Sequence, residues 1–121
     1  MLAGIRGAVV ALENTEDAIL NATEELLHCL ISRNALVESE VGGVFFTSTV
    51  DLNKAFPAKA LRHIGWRQVP ALCAQELDVP GSMKRVIRIM MFVNREKTVR
   101  VHHQYLGEAA ALRPDRTGDL P

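Results

Sequence analysis

The run Val86-Ile87-Arg88-Ile89-Met90-Met91-Phe92-Val93 restricts the fold of this chain more than any other stretch. Its length and its β-branched and aromatic content mark a strand. Side chains alternate across a strand, so Val86, Arg88, Met90 and Phe92 share one face and Ile87, Ile89, Met91 and Val93 the other. Both faces are apolar apart from one arginine. The sheet that holds this strand therefore needs cover on both sides.

The remaining elements arrange themselves around it. Gly4 to Leu12 reads as a first strand. Asn14-Thr15-Glu16-Asp17 reads as a helix start, a capping residue followed by acids that suit the positive end of the helix dipole. Ile19, Ala22, Leu26 and Leu30 recur at spacings of 3, 4 and 4, one face of a helix that runs to Arg33. Val41 to Thr49 is a second strand. Pro57 opens a short helix over Ala58 to Ile64, stopped by Gly65. Val69 to Cys73 is a third strand, Pro80-Gly81 a turn, and Val99 to Leu106 a fifth strand that can run on to Leu112. The pattern predicts an α+β domain over residues 1–115, a five-stranded mixed sheet with two helices. Residues 116–121 read as a flexible C-terminal tail. Two helices cannot cover much of both faces, so a partner subunit is expected to supply the rest.

Composition narrows the function. The chain has 121 residues, 48% hydrophobic and 23% charged, which suits one ordinary globular domain. Lys plus Arg and Asp plus Glu are each 14, so the net charge is zero. Nucleic-acid and anionic-membrane binders show a basic excess, and neither partner is expected here. Cys29 and Cys73 form no C-x-x-C pair or disulfide framework. The apolar start, Met1 to Leu12, is broken by Gly4, Arg6 and Gly7, which argues against a signal peptide or membrane span and favours a cytoplasmic protein.

Arginines inside strands carry the functional information. Arg88 is a permanent cation among apolar neighbours, and a guanidinium does not neutralise, so burial demands an anionic partner. Three readings are open: an internal ion pair with Glu76 or Asp78, a receptor for an anionic ligand, or an arginine that snorkels to water. Arg6 sits between small residues in Gly4-Ile5-Arg6-Gly7-Ala8, which lets a ligand approach or leaves an edge charge in water. Lys59 and Arg62, at i and i+3, form either a cationic wall or a solvated helix face. Arg113, before Pro114, taken alone reads as a tail charge. Glu76 can be an acid or base, an acceptor for a ligand hydroxyl, or the counter-ion of Arg88. Cys73 lacks an activating base nearby and suits a core position. The adjacent pair His102-His103 points to opposite faces of a strand and is a poor metal pair. No P-loop, Rossmann glycine pattern, H-E-x-x-H or G-x-S-x-G occurs. Several cations, one key carboxylate and no convincing nucleophile suit the binding of a small polyanion better than covalent chemistry.

Gly4-Ile5-Arg6-Gly7-Ala8, Phe56-Pro57-Ala58-Lys59-Ala60, Val69-Pro70, Cys73 through Val79, Ile87-Arg88-Ile89-Met90-Met91, Gln104-Tyr105-Leu106 and Leu112-Arg113-Pro114-Asp115 follow one another in one order. That succession resembles the monofunctional AroH-type chorismate mutases. The resemblance implies a homotrimer with a pseudo-α/β-barrel core, active sites at subunit interfaces, no cofactor, no metal, and conversion of chorismate to prephenate on the way to phenylalanine and tyrosine. Carried over by motif, Arg6, Glu76 and Arg88 are the expected catalytic residues, with Cys73 and Tyr105 beside them. Phe56, Ala58, Lys59, Arg62, Leu72, Ala74, Gln75, Leu112 and Arg113 are expected to line or close the site. Pro80-Gly81-Ser82, the stretch Asn94 to Val99 and the tail after Asp115 depart from the family pattern. Two other functions stay open beside this one: an imine/enamine deaminase on a similar trimer, and a non-catalytic sensor of a dicarboxylate metabolite.

Overall fold

In the computed structural model, which describes residues 1–96 and 99–114, five strands and two helices follow one another. They are β1 (Leu2–Val10), α1 (Glu16–Asn34), β2 (Val41–Ser48), α2 (Lys59–His63), β3 (Ala71–Gln75), β4 (Val86–Asn94) and β5 (Gln104–Tyr105). The strands form one sheet in the order β3-β2-β4-β1-β5. Strand β4 lies antiparallel to both β1 and β2, whereas β3 runs parallel to β2 and β5 parallel to β1. The expected mixed α+β sheet is present, and the doubly apolar strand is at its centre.

Local chemistry explains α1. Thr15 Oγ1 accepts the Ala18 amide at 3.1 Å, with Glu16 and Asp17 in the first turn. Its apolar stripe, Ile19, Ala22, Leu26 and Leu30, is buried against Ile5 and Val9 of β1, Val44 and Phe46 of β2, and Ile87, Ile89, Met91 and Val93 of β4. Ala60 and Leu61 of α2 join the same cluster. Both helices thus cover one face of the sheet.

The opposite face is largely open in one protomer. Register places Gly4, Arg6 and Ala8 of β1, Phe45 and Thr47 of β2, Leu72 and Ala74 of β3, and Arg88, Met90 and Phe92 of β4 on it. Phe45 is 45% and Leu72 63% exposed. Among the described residues one end has cover, where Ala8, Val86, Tyr105 and Ala109 form a small cluster with Leu112 against it.

Three expectations are corrected. The fifth strand is confined to Gln104–Tyr105 instead of Val99 to Leu106, and Gly107–Leu112 is a 3-10 helix, not a strand continuation. The Arg6 amide of β1 donates to the ring nitrogen Nδ1 of His103 at 3.0 Å, which replaces a backbone rung. After Leu106, whose amide reaches Ala8 O at 2.9 Å, Gly107 takes φ +53° and turns the chain out of the ladder. Strand β3 begins at Ala71, after Pro70, which has no amide to donate. The expected tail, residues 116–121, lies outside the described residues.

Close approach makes Gly7 essential. A Cβ there would sit 2.6 Å from the Gln104 carbonyl oxygen and 2.9 Å from Leu26 Cδ1. The carbonyl belongs to the β5 backbone and cannot swing aside. Gly7→Ala is expected to cost about 1–3 kcal/mol, the usual range for overpacking, read as a lower urea midpoint at fixed protein concentration. An unchanged midpoint would show that β5 can yield.

Asp51 anchors the entry to β4. Its Oδ2 accepts the Arg85 amide at 3.0 Å, and Arg85 holds a left-handed φ of 56°. Arg85 Nη1 also donates to Leu12 O at 2.9 Å, so the loop is tied to the end of β1. Burial raises the Asp51 carboxyl pKa. Hydrogen bonds from Thr49, its own amide and Arg85, with the Lys84 charge, outweigh burial and set it below its ordinary 3.8. A depressed carboxyl pKa contributes stability that is present above pH ~4 and lost as pH falls through the folded value. Asp51→Asn is expected to flatten that acid limb in stability measured from pH 6 downward. An acid limb of the same slope in the variant would assign it to other carboxylates.

Candidate active site

Arg88 leaves β4 on the open face, opposite Thr47 of β2 and Ala8 of β1. Glu76 follows β3 directly, and its amide donates to Ser48 O at 2.9 Å, which extends the parallel pairing by one step. That step brings its carboxylate over β2. Glu76 Oε2 accepts from Thr47 Oγ1 and pairs with Arg88 Nε at 3.2 Å. The carboxylate is 18% exposed and the guanidinium side chain 44%. Arg6 and Tyr105 complete a hollow of about 240 Å³ with Phe45 and Thr47 in its walls.

The first reading of Arg88, an ion pair, is therefore realised with Glu76 and not with Asp78. It does not exhaust the guanidinium. The closest approach is through Nε, and the Arg88 side chain stays 44% exposed. A guanidinium that is paired with one carboxylate and still partly exposed can receive a further acceptor oxygen.

His103 positions Arg6. His103 is 8% exposed, and its Nδ1 must carry a lone pair because the Arg6 amide donates to it. Neither Thr47 nor His103 was marked by the sequence as a site residue. Their roles depend on cross-strand register, for which local sequence has no signal. Among the described residues, no group of three His, Cys, Asp or Glu side chains could hold a metal ion.

The other expected residues lie elsewhere in the protomer. Phe56, Ala58, Lys59 and Arg62 line a separate hollow of about 570 Å³ beside β3, shared with Trp66 and Arg67. Ala74 and Gln75 line a third hollow together with Phe56 and Lys59. Leu72 stands exposed on the open face. Cys73 points the other way: it pairs with Phe46 and packs against the helix-covered core, away from Arg88. Leu112 packs behind Tyr105, and Arg113 follows it. One protomer thus unites Arg6, Glu76, Arg88 and Tyr105. It does not bring Phe56, Ala58, Lys59 or Arg62 to them; Leu72 and Ala74 lie on the same open face beside Phe45 and Thr47 without lining the hollow, Gln75 precedes Glu76, and Cys73 faces the core.

The family model for chorismate mutase type I matches residues 2–116. The chain belongs to that family. Chorismate mutase AroH of Thermus thermophilus is 48% identical over 117 residues, covering 95% of this chain and 96% of its own. Chorismate mutase AroH of Bacillus subtilis is 41% identical over 117 residues, covering 95% and 92%. A solved chorismate mutase from Clostridium thermocellum superposes with a TM-score of 0.85 at 40% identity, covering 90% of this chain and 98% of that one. This mutase is accordingly an isomerase of aromatic amino-acid biosynthesis that converts chorismate to prephenate. Among its described residues no helix is long and apolar enough to cross a membrane.

Proposed function

We propose that this mutase works as a homotrimer and that each active site joins two walls from different protomers. The first wall is the hollow of Arg6, Glu76, Arg88 and Tyr105. The second is the surface of Phe56, Ala58, Lys59 and Arg62, with the β3 residues Leu72, Cys73, Ala74 and Gln75 near it. The separation of the two walls within one protomer supports this reading. So does the open sheet face, where Phe45 and Leu72 are too apolar and too exposed to be left in water. Three copies that pack these faces inward give the pseudo-α/β barrel, and cyclic symmetry makes every site equivalent.

The chemistry suits such a site. Chorismate carries two carboxylates, an enol ether oxygen and a ring hydroxyl. Within one molecule a C–O bond breaks as a C–C bond forms, with no proton transfer and no covalent intermediate. The enzyme contributes by holding a compact reactive conformer and by stabilising developing charge. The free edge of the Arg88 guanidinium donates to the ether oxygen, which becomes more negative as the C–O bond lengthens. Preference for that stage over the ground state is what accelerates the reaction. Glu76 keeps Arg88 in place through Nε and accepts from the ring hydroxyl. Arg6 and Tyr105 orient the carboxylates. Lys59, Arg62 and Arg113 raise the local potential and help to exclude water.

The observation that carries the assignment is the ion pair of the half-exposed Arg88 with Glu76 in one hollow with Arg6 and Tyr105. The test is prephenate formation from chorismate by the wild type and by Arg88→Ala, together with the mass of the assembly in solution. Turnover by a trimer, abolished in the variant, is expected. Chorismate binding without turnover would favour the sensor reading instead.

A further inference from the structure

The hollow beside β3 is lined by three cations, Lys59, Arg62 and Arg67, and by the rings of Phe56 and Trp66. Lys59 has a carboxylate partner, Glu16, at 3.4 Å. Arg67 has no ion pair among the described residues. One oxygen of Glu38 accepts the amides of Gln68 at 2.6 Å and Val69 at 2.9 Å. Those bonds clamp the backbone on the C-terminal side of Arg67. On its N-terminal side Gly65, at φ +88°, ends α2, and the Trp66 amide donates to Leu61 O at 2.9 Å. The chain therefore places a third cation on the same hollow as two others, on a segment whose backbone is hydrogen-bonded on both sides of it. Three cations on one hollow, of which Lys59 alone has an ion pair among the described residues, raise its potential, and apolar ring walls focus it.

We propose that Arg67 is a further substrate-capturing residue, one that draws the chorismate dianion to the second wall and takes no part in the rearrangement. The proposal rests on the two-wall site described above. Arg67 acts at long range. A unit cation about 10 Å from a dianion in water changes the association constant by about fourfold at low ionic strength. At ~10 mM salt the screening length is about 30 Å, and at ~1 M it is about 3 Å, so the effect must vanish in high salt.

The test is kcat and kcat/KM for the wild type, Arg67→Gln, Arg67→Lys and Arg88→Ala at ~10 mM and ~1 M salt. Arg67→Gln is expected to lower kcat/KM about three- to fivefold at low salt with kcat unchanged, and to match the wild type at high salt. Arg67→Lys, which keeps the charge, should behave as the wild type throughout. Equal kcat/KM for Arg67→Gln and wild type at low salt would overturn the proposal. So would a loss that persists at high salt or a fall in kcat, either of which indicates packing, not charge. Retained turnover in Arg88→Ala, by contrast, would overturn the site assignment itself, whatever Arg67 does.

Discussion

Arg88→Lys is expected to lower kcat by at least ~100–1,000-fold, the usual loss when one donor aimed at developing charge is removed. Charge alone is preserved in this variant, so the prediction isolates geometry. Arg88 pairs with Glu76, closest through Nε at 3.2 Å, and its side chain stays 44% exposed. An ammonium group is a single point of charge on a flexible stem. It can pair with Glu76 or reach the ether oxygen, but it has no fork to do both at once. The transition state loses its donor, while substrate binding keeps the contributions of Arg6, Tyr105 and the second wall. The rate of prephenate formation at saturating chorismate checks this, and near-normal turnover in Arg88→Lys would remove Arg88 from the role assigned to it.

Mixing two inactive variants gives the other large effect. Arg6 and Arg88 face one hollow of one protomer. Trimers assembled from Arg6→Ala and Arg88→Ala chains are therefore expected to stay inactive, because every first wall lacks one residue. Lys59 lines a different hollow. Chains carrying Arg88→Ala and Lys59→Glu, unfolded and reassembled together, are expected to recover about one quarter of wild-type activity. In random trimers three quarters are mixed, and cyclic symmetry gives each mixed trimer one intact site in three. No recovery in the second mixture, or recovery in the first, would refute the proposed division of the walls.

Much of the architecture was legible in the residues. Strand β4 announced itself by an apolar run on both faces, and α1 by its stripe and its Thr15 cap. Both follow from local periodicity and short-range hydrogen bonding. The fifth strand was not legible. Val99 to Leu106 has strand composition, yet the Arg6 amide goes to a histidine ring and Gly107 ends the pairing, so only two residues join the sheet. Composition describes what a segment tolerates, whereas pairing depends on which partner groups are free.

The site divides in the same way. From the sequence alone came the residue types: strand arginines that need an anion, one carboxylate at the right remove, no nucleophile, and a motif order that resembles one family. The tertiary structure decided which of them meet. Cross-strand register set Arg88 opposite Thr47, and one further step of parallel pairing carried Glu76 onto both. It also turned Cys73 toward the helices and held Lys59 and Arg62 apart from Arg88. Side-chain direction reverses at every residue of a strand, so a shift of one residue in pairing would exchange the two faces. That choice depends on long-range contacts between distant strands, and short-range sequence pattern cannot express it.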